Sequence, residues 1–590
     1  MTRLRATTVQ NLDERRSVMN CAKNIATRRL ETCGRAIFLL LCLVLFRVHS
    51  VAAQQGVMAS RVEHSEKEPQ NWLTFYGNYK GWSYSPLNQI TRENVKQLVP
   101  VWTLSAGGPP ADLALRPGLQ AGPLVADGVV YLEGMQNNIY AADATTGKLL
   151  WTYVYPWTEK GNMQSLRGAR GLAMGDGRIY MGTQDNHLVA VDAETGNQVW
   201  NVEVESMTKC LCDITSPPLF VKGKVIAGVA GGGLGVVRGY LNAFDAKTGE
   251  RVWHFDVIPS PDQPGGDTWS GDSWKTGGGA TWFTGTYDPE LNLIYWGTGD
   301  PAIVYVGSDR PGANLYSTSL LALDADTGKL KWYFQETPHD LYDYDAAAEP
   351  VLLDLDVAGR KRKVILHANK SGFAYIVDRE TGKYLRSFPY GSPNWAKGID
   401  ENGRPIDPLV PKDHKDFVMC PGLGPGAHGI QHSAYSPRTG WWYTTDLEIC
   451  SILKGSEGAG APILNPNAPS QISAFDPVSG KKQWAFKTKY YNLSSLLSTA
   501  GDLVFAGDLE GNAFALDAKT GEKLWSFNTG GRIVAAPVSF SVGGRQFVTI
   551  SSGGGANIES YLPALYPESK GHLPQPSAML FVFALPEKSK

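Results

Sequence analysis

One short motif recurs along the chain and limits the possible folds more than any other feature of the sequence. It consists of an aspartate, a Thr-Gly or Ser-Gly pair, and a tryptophan eight residues after the aspartate. Copies begin at Asp143, Asp192, Asp245, Asp324, Asp378, Asp476 and Asp517, and the copy at Asp378 lacks the tryptophan. The run from Tyr435 to Trp442 resembles an eighth copy. A motif repeated at this interval indicates a repeat architecture.

The motif describes a tight turn between two strands. Aspartate and threonine oxygens cap such a turn, and glycine adopts the positive φ that the turn requires. Alternation along the following strand carries the tryptophan inward. Most copies lie about 40 to 55 residues apart, which suits one four-stranded blade each. The sequence therefore predicts an all-β, eight-bladed β-propeller with tryptophan-docking repeats, in which each tryptophan packs against the neighbouring blade.

The parts of the chain outside the repeats complete this prediction. The wider gaps, 245 to 324 and 378 to 476, are expected to hold long loops and a partial extra unit. The segment from Ala578 to Leu585 alternates like a strand, and we expect it to pair with the segment from Val99 to Leu104 and so hide the sheet edges. Because no linker interrupts the repeats, residues 54–590 are predicted to form one domain.

The N-terminus has the pattern of an export signal. Arg28, Arg29 and Arg35 precede an apolar run at 36–46, and Val51-Ala52-Ala53 supplies small residues suited to cleavage. The apolar run has about 11 residues, short of the roughly 20 that span a bilayer. We therefore expect residues 1–53 to be a signal peptide and the mature protein to be periplasmic. An uncleaved inner-membrane anchor is the alternative.

Charge and cysteine content exclude some functions. The formal net charge of −2 gives no support for nucleic-acid binding, which usually requires a strongly basic surface. Four cysteines follow the leader, an even number compatible with disulfides in an exported protein: Cys210, Cys212, Cys420 and Cys450. The sequence contains no Cys-x-x-Cys-His motif, so no c-type haem is expected to be covalently attached.

Several segments outside the repeats carry a family resemblance that covers about residues 70 to 585. The most specific are Trp269 to Trp282, the Gly-Thr-Gly-Asp-Pro run ending at Pro301, Thr337 to Asp345, and the Arg-Gly-Leu-Ala run that begins at Arg170. With them the chain resembles the quinoprotein alcohol dehydrogenases, which include the methanol and ethanol dehydrogenases that depend on pyrroloquinoline quinone (PQQ). The resemblance implies PQQ with Ca²⁺ or a lanthanide ion, a small primary alcohol as substrate, and a separate cytochrome c as electron acceptor.

The resemblance also implies the roles of individual residues. It implies that PQQ stacks on Trp282. The residues implied to bind the cofactor are Gln120, Arg170, Thr215, Gly231, Gly232, Trp282 and Lys370. Asp343 matches the general base, and Asp300, Asp343 and Asp345 form the implied metal-ligand set. If the segment is extended, Asp343 and Asp345 point to the same side. Cys420 and Cys450 match a disulfide pair of the family.

The chain departs from the family pattern at several of these places. Gly233 stands where the family has a metal-ligating glutamate, and Asp300 replaces a ligand asparagine. Gln164-Ser165 replaces an adjacent cysteine pair that covers the cofactor. Cys210 and Cys212 are either a disulfide that replaces this lid, or free thiols, or bridged elsewhere. An alternative function is therefore a propeller that has lost its cofactor and acts as a binding or assembly scaffold.

Overall fold

A computed structural model of the chain describes residues 56–107, 118–157, 168, 170–357 and 359–587. The predicted leader and Gln164-Ser165 lie outside the described residues. The described residues are almost entirely strands and loops. Helical segments are short: α1 (Ala59–Glu63), α2 (Met207–Cys210), α3 (Leu562–Leu565), and 3-10 turns at Ser65–Lys67, Val95–Gln97, Met135–Asn137, Gly232–Leu234, Gly266–Thr268, Ser273–Thr276, Pro411–Asp413, Asn557–Tyr561 and Pro567–Ser569. None of the helices in these ranges is long and apolar enough to cross a membrane.

The strands, in chain order, are β1 (Tyr84–Ser85), β2 (Val99–Ser105), β3 (Leu124–Ala126), β4 (Val129–Glu133), β5 (Ile139–Asp143), β6 (Leu149–Tyr153), β7 (Ala173–Gly175), β8 (Arg178–Gly182), β9 (His187–Asp192), β10 (Gln198–Glu203), β11 (Leu219–Val221), β12 (Lys224–Ala227), β13 (Tyr240–Asp245), β14 (Arg251–Asp256), β15 (Thr286–Asp288), β16 (Leu293–Gly297), β17 (Ser319–Asp324), β18 (Leu330–Gln335), β19 (Val351–Val357), β20 (Arg360–Ala368), β21 (Phe373–Asp378), β22 (Tyr384–Pro389), β23 (Lys415–Met419), β24 (Ala434–Ser436), β25 (Trp441–Asp446), β26 (Ile449–Lys454), β27 (Ala461–Leu464), β28 (Gln471–Phe475), β29 (Lys482–Lys487), β30 (Leu497–Thr499), β31 (Leu503–Gly507), β32 (Asn512–Asp517), β33 (Lys523–Asn528), β34 (Val538–Val542), β35 (Arg545–Ser552) and β36 (Met579–Ala584).

These strands form a propeller-like series of small sheets. Within the described ranges the four-stranded sheets are β3–β6, β7–β10, β11–β14, β15–β18, β19–β22, β24-β25-β28-β29 and β2-β36-β35-β34, and the sheet β30–β33 carries β1 as a fifth strand. A further three-stranded sheet, β23-β26-β27, is the partial extra unit expected between 378 and 476. Neighbouring strands are antiparallel, except for the parallel pair β1 and β30. Isoleucine, valine and leucine side chains of the inner strands fill the core.

The repeat motif forms the predicted turn between the last two strands of a sheet. Asp143 Oδ1 accepts hydrogen bonds from the backbone N–H groups of Thr145 and Thr146, at 3.1 and 2.8 Å, and from both threonine hydroxyls. These donors lower the pKa of Asp143 to about 2. Gly147 follows with φ +72°. The aspartate is therefore a structural group that caps the turn through one carboxylate oxygen.

The repeat tryptophans, except Trp525, pack on the turn glycine of the following sheet, whereas Trp525 donates to the Leu98 carbonyl at 3.2 Å. A Cβ built on Gly196 would stand 2.7 Å from the indole of Trp151, and the Trp151 N–H donates to the Ala193 carbonyl at 3.3 Å. The same packing joins Trp102 to Gly147, Trp200 to Gly249, Trp253 to Gly328, Trp332 to Gly382, and Trp484 to Gly521. This packing confirms the predicted docking. It also means that these turn positions need a residue without a side chain, in addition to one that adopts a positive φ.

Two features of the repeat differ from the expectation. In the copy that lacks tryptophan, Phe388 packs over Gly480. The prediction of a separate eighth repeat from Tyr435 to Trp442 is wrong. The turn at Gly440 joins β24 to β25, and these strands belong to the sheet that already contains the repeat turn at Asp476. The remaining sheet instead takes its outer strand from the start of the chain, since β2 pairs with β36 and brings Trp102 with it. That pairing between the two ends of the domain was predicted.

Candidate active site

The strand order places one set of connecting loops at the same end of the four-stranded sheets. In an antiparallel four-stranded sheet, the segment that enters the first strand and the connection between the second and third strands lie at the same end. Segments entering β3, β7, β15 and β19 carry Gln120, Arg170, Trp282 and Asp343, and connections between second and third strands carry Gly231–Gly233, Asp300 and Lys370. These residues line one cavity of about 350 Å³. The Asp-Thr-Gly turns lie at the opposite end.

One wall of the cavity pairs an aromatic ring with a cation. The Arg170 guanidinium lies 5.2 Å from the ring centroid of Trp282 and donates to the Trp282 carbonyl at 2.8 Å. Arg170 also donates to Thr215 Oγ1 at 3.2 Å. Thr215 is buried behind Arg170 and does not line the cavity, unlike the other predicted binding residues. The wall therefore offers a flat apolar ring beside a fixed positive charge, which suits a planar anion.

The acidic residues meet opposite this wall around one ammonium group. Lys370 Nζ lies 2.8 Å from Asp343 Oδ1 and 2.6 Å from Asp345 Oδ2. Asp345 Oδ1 accepts the backbone N–H of Asp300 at 2.8 Å. Oxygens of Asp300, Asp343 and Asp345 all lie within 4.8 Å of one another. The three carboxylates that the sequence singled out therefore converge on one place.

Backbone conformation brings Asp343 and Asp345 together differently from the expectation. The segment is not extended at Asp343, which has φ +66°. Asp340 shapes this bend: its carboxylate accepts the N–H groups of Tyr342 and Tyr344 at 2.7 and 2.8 Å. The common side of the two aspartates is therefore set by a capped turn and not by strand alternation.

Burial and neighbouring charges separate the proton affinities of the three carboxyl groups. Burial raises the pKa of Asp343 to about 7, although Lys370 opposes the shift. Burial, followed by repulsion from Asp345 and Asp343, raises the pKa of Asp300 well above its usual range. Burial acts in the same direction at Asp345, but the Lys370 ammonium outweighs it and lowers the pKa. A cation placed among these groups would oppose both the burial and the repulsion that raise the pKa values of Asp300 and Asp343.

Asp300 occupies the space that the missing carboxylate at position 233 would need. A Cβ on Gly233 would stand 2.9 Å from Asp300 Oδ2, so a longer side chain there requires Asp300 to move. Asp300 is 94% buried, and its Oδ2 has no hydrogen-bond partner among the described residues. A buried carboxylate oxygen without a donor is costly unless it binds a cation. The donor set therefore fits a hard cation with oxygen ligands.

The four cysteines within the described residues form two disulfides. Cys420 bridges to Cys450 across 30 residues, the pairing that the family resemblance implied. Cys210 bridges to Cys212, and the amide of Asn186 lies 3.2 Å from the Cys212 sulfur. This second disulfide does not line the cavity formed by the described residues, so the structure does not support the hypothesis that it replaces a lid.

Some residues at the cavity were not found from the sequence. Tyr305 donates from its hydroxyl to Asp343 Oδ2 at 3.2 Å. Ile558, Ser560 and Tyr561 reach the cavity from the short turn Asn557–Tyr561, which follows the last repeat. They belong to no motif, and no local pattern in the sequence points to them.

Comparison with known proteins decides the family. A sequence profile described as the beta-propeller domain of glucose/ethanol/alcohol dehydrogenase, with PQQ as its short name, matches residues 72–389. The chain belongs to the PQQ-dependent alcohol dehydrogenase family. This confirms the resemblance stated from the sequence. A second profile, described as outer membrane protein assembly factor BamB, matches residues 468–558, which contain two of the repeats.

Individual relatives of this quinoprotein cover most of its length. Quinoprotein alcohol dehydrogenase PedH of Pseudomonas putida is 36% identical over 582 residues, which is 91% of this chain and 95% of the relative. A lanthanide-dependent methanol dehydrogenase of Methylacidiphilum fumariolicum is 36% identical over 537 residues, 83% of this chain and 86% of the relative. The solved structure of a europium-containing methanol dehydrogenase superposes with a TM-score of 0.81 at 31% identity, covering 89% of this chain and all of that one.

Proposed function

We propose that this quinoprotein oxidises a primary alcohol to an aldehyde, with PQQ as the electron acceptor and Asp343 as the general base. The observation that carries the proposal is the convergence of Trp282, Arg170, Lys370 and the three aspartates on one cavity. A scaffold that only bound other proteins would have no need of this set. The family membership and the names of the relatives support the same activity.

Each residue has a separate task in this proposal. Trp282 would hold the planar cofactor, and Arg170 and Lys370 would supply positive charge to it. Asp300, Asp343 and Asp345 would hold Ca²⁺ or a lanthanide ion. When bound, PQQ with this ion supplies a polarised quinone that accepts two electrons from the substrate.

Asp343 takes the hydroxyl proton of the alcohol. Its Oδ1 accepts from Lys370 and its Oδ2 from Tyr305, so both oxygens are held in place before the substrate arrives. In the cation-free site, burial raises the pKa of Asp343 to about 7. A bound cation lowers that pKa and keeps the group ionised.

The remaining expectations from the sequence belong to this proposal. The eight sheets of four or five strands would be the eight blades, and the three-stranded sheet an addition to them. The leader at 1–53 would direct export, so the enzyme would work in the periplasm and pass its electrons to a separate cytochrome c. An inner-membrane anchor would place the same domain on the same side of that membrane.

Reconstitution tests the proposal against the alternative of a cofactor-free scaffold. The purified protein is incubated with PQQ and either Ca²⁺ or La³⁺, desalted, and examined for quinone absorbance and for dye-linked oxidation of short alcohols. We expect retained absorbance and activity with at least one cation. If neither cation leaves quinone absorbance on the protein, the scaffold is the correct reading.

A further inference from the structure

One short turn supplies a whole section of the cavity wall. It is the 3-10 turn Asn557–Tyr561, whose residues Asn557, Ile558, Ser560 and Tyr561 line the cavity. The residues between β35 and β36 are all described, and none of them is in a strand. Because no sheet holds this section of the wall, contacts of individual groups must fix it to the rest of the protein.

Three glycines, Gly553 to Gly555, lead into this turn. Gly554 and Gly555 have φ of +76° and +92°. Glycine loses more conformational freedom than any other residue when it is held in one conformation. Two neutral hydrogen bonds oppose that freedom: the Gln120 amide donates to the Gly555 carbonyl at 2.9 Å, and the Tyr491 hydroxyl donates to the Ile558 carbonyl at 2.8 Å.

Arg532, in the connection between β33 and β34, contacts this segment at three places. Its Nη1 donates to Glu559 Oε2 within the turn, and its Nε donates to the Pro574 carbonyl at 2.9 Å. Its own carbonyl accepts the N–H of Gly553 at 2.6 Å. One residue therefore holds the chain before, within and after the wall section.

Glu559 connects this ion pair to the shape of the turn. Its Oε1 accepts the N–H of Ala556 at 2.8 Å, which caps the start of the turn. The side chains of Arg532 and Glu559 are 17% and 7% exposed. Removing one partner of a buried pair is strongly destabilising, because it leaves the other charge uncompensated. Neither residue is among the described residues that line the cavity, so the pair acts on the cavity through the turn.

We propose that Arg532 and Glu559 are positioning residues that form a latch, which holds the turn Asn557–Tyr561 closed on the cavity and slows release of the cavity's occupant. When the pair is broken, the turn moves at the three glycines, while the apolar packing of Leu562 and Leu565 keeps the following part of the chain in place. The effect on release rests on the proposed function, because PQQ is the occupant. The latch itself exists in the cofactor-free protein.

Hydrogen exchange in the cofactor-free protein tests the latch without PQQ. Glu559→Gln keeps the size of the side chain and one oxygen for the Ala556 N–H, but its amide nitrogen cannot accept from Arg532. We expect amides at 553–561 to exchange about tenfold faster than in the wild type, and those of the inner strands to be unchanged. Unchanged exchange at 553–561 would overturn the proposal.

Arg438→Gln is the matched control for this experiment. Arg438 donates to Asp502 Oδ1 at 2.9 Å, and its side chain is 50% exposed at the turn between β24 and β25. The variant therefore breaks an ion pair that does not contact the segment from Gly553 to Pro574. We expect its amides at 553–561 to exchange as in the wild type, and equally fast exchange in both variants would contradict a local latch.

Release of PQQ tests the consequence for the cavity. Protein loaded with PQQ and Ca²⁺ or La³⁺ is desalted, and the quinone absorbance that stays with the protein is followed over time. Arg532→Gln and Glu559→Gln should each speed release about tenfold, and the double variant also about tenfold, because all three break the same interaction. Unchanged release, or a rise of about a hundredfold in the double variant, would overturn the latch.

A conservative variant covers the case in which Arg532→Gln does not fold. Arg532→Lys keeps a cation for Glu559 but lacks the second donor for the Pro574 carbonyl, so release should be about threefold faster. A rate equal to that of the wild type would show that the guanidinium is not needed. If the wild-type protein retains no PQQ, the proposed function and the effect on release both fail, whereas hydrogen exchange still decides whether the latch exists.

Discussion

Aspartates at the two ends of the sheets lie in opposite environments. Asp143, in an Asp-Thr-Gly turn, receives four hydrogen bonds from its neighbours in sequence, and these lower its pKa to about 2. Asp343, at the cavity, lies between Lys370 and Tyr305, and burial raises its pKa to about 7. The turn surrounds one carboxylate oxygen of Asp143 with donors that favour the charged form, whereas burial in the cation-free cavity favours the protonated form of Asp343. One residue type thus serves structure at one end and chemistry at the other.

Replacing each of these two aspartates by asparagine, in separate variants, should give the largest difference in activity. Asp343→Asn removes the proton acceptor while keeping the size of the side chain, and we expect kcat to fall by about 10²–10⁴-fold. Asp143→Asn keeps an oxygen that can cap the turn, so kcat should not change. Dye-linked assays and a thermal melt of each variant check this. Loss of activity in Asp143→Asn at a normal melting temperature would contradict the division between the two ends.

The turn glycines allow a second comparison, between two positions at the end of the sheets where the Asp-Thr-Gly turns lie. Gly196→Ala forces a Cβ into the Trp151 ring in addition to the left-handed backbone, and we expect a loss of about 2–4 kcal/mol of stability. Gly440→Ala meets the same backbone requirement at φ +72° with nothing within 4 Å, and should cost about 1–2 kcal/mol. Urea unfolding measures both. Equal losses would show that the docked tryptophan adds nothing to the requirement for glycine.

Protons should compete with the cation for the carboxylates at the cavity. Because the pKa values of Asp300 and Asp343 are raised in the cation-free protein, binding must displace protons as the pH falls. We expect affinity for Tb³⁺, followed by luminescence in the PQQ-free protein, to fall up to about a hundredfold per pH unit below pH 7, since two carboxyl groups must release protons. In Asp300→Asn the affinity should be lower and its pH dependence shallower. An affinity independent of pH between 6 and 8 would contradict the raised pKa values.

The sequence predicts the Asp-Thr-Gly turns and their packing well, because the residues that determine each turn lie close together in the sequence. Asp143, Thr146, Gly147 and the tryptophan eight residues beyond the aspartate define a turn and a packing contact almost without the rest of the chain. The same local chemistry also explains the error at Gly440, where an inner hairpin uses a similar turn. Local pattern identifies a turn but does not say which two strands it joins.

The cavity could be predicted only where family motifs reach it. Asp300, Asp343, Asp345 and Lys370 were found by resemblance, but the bend that brings the aspartates together depends on caps provided by Asp340. Tyr561 arrives from a turn after the last repeat, through packing between distant segments. The relation between Gly233 and Asp300 required coordinates, because it concerns a space that either side chain can fill.

Anomalous diffraction tests the central claim most directly. Crystals of the protein grown with PQQ and a lanthanide would be measured at the lanthanide absorption edge. We predict one strong peak within coordination distance of Asp300, Asp343 and Asp345, with planar density against the indole of Trp282. A strong peak elsewhere, or planar density without a metal beside these three carboxylates, would contradict it.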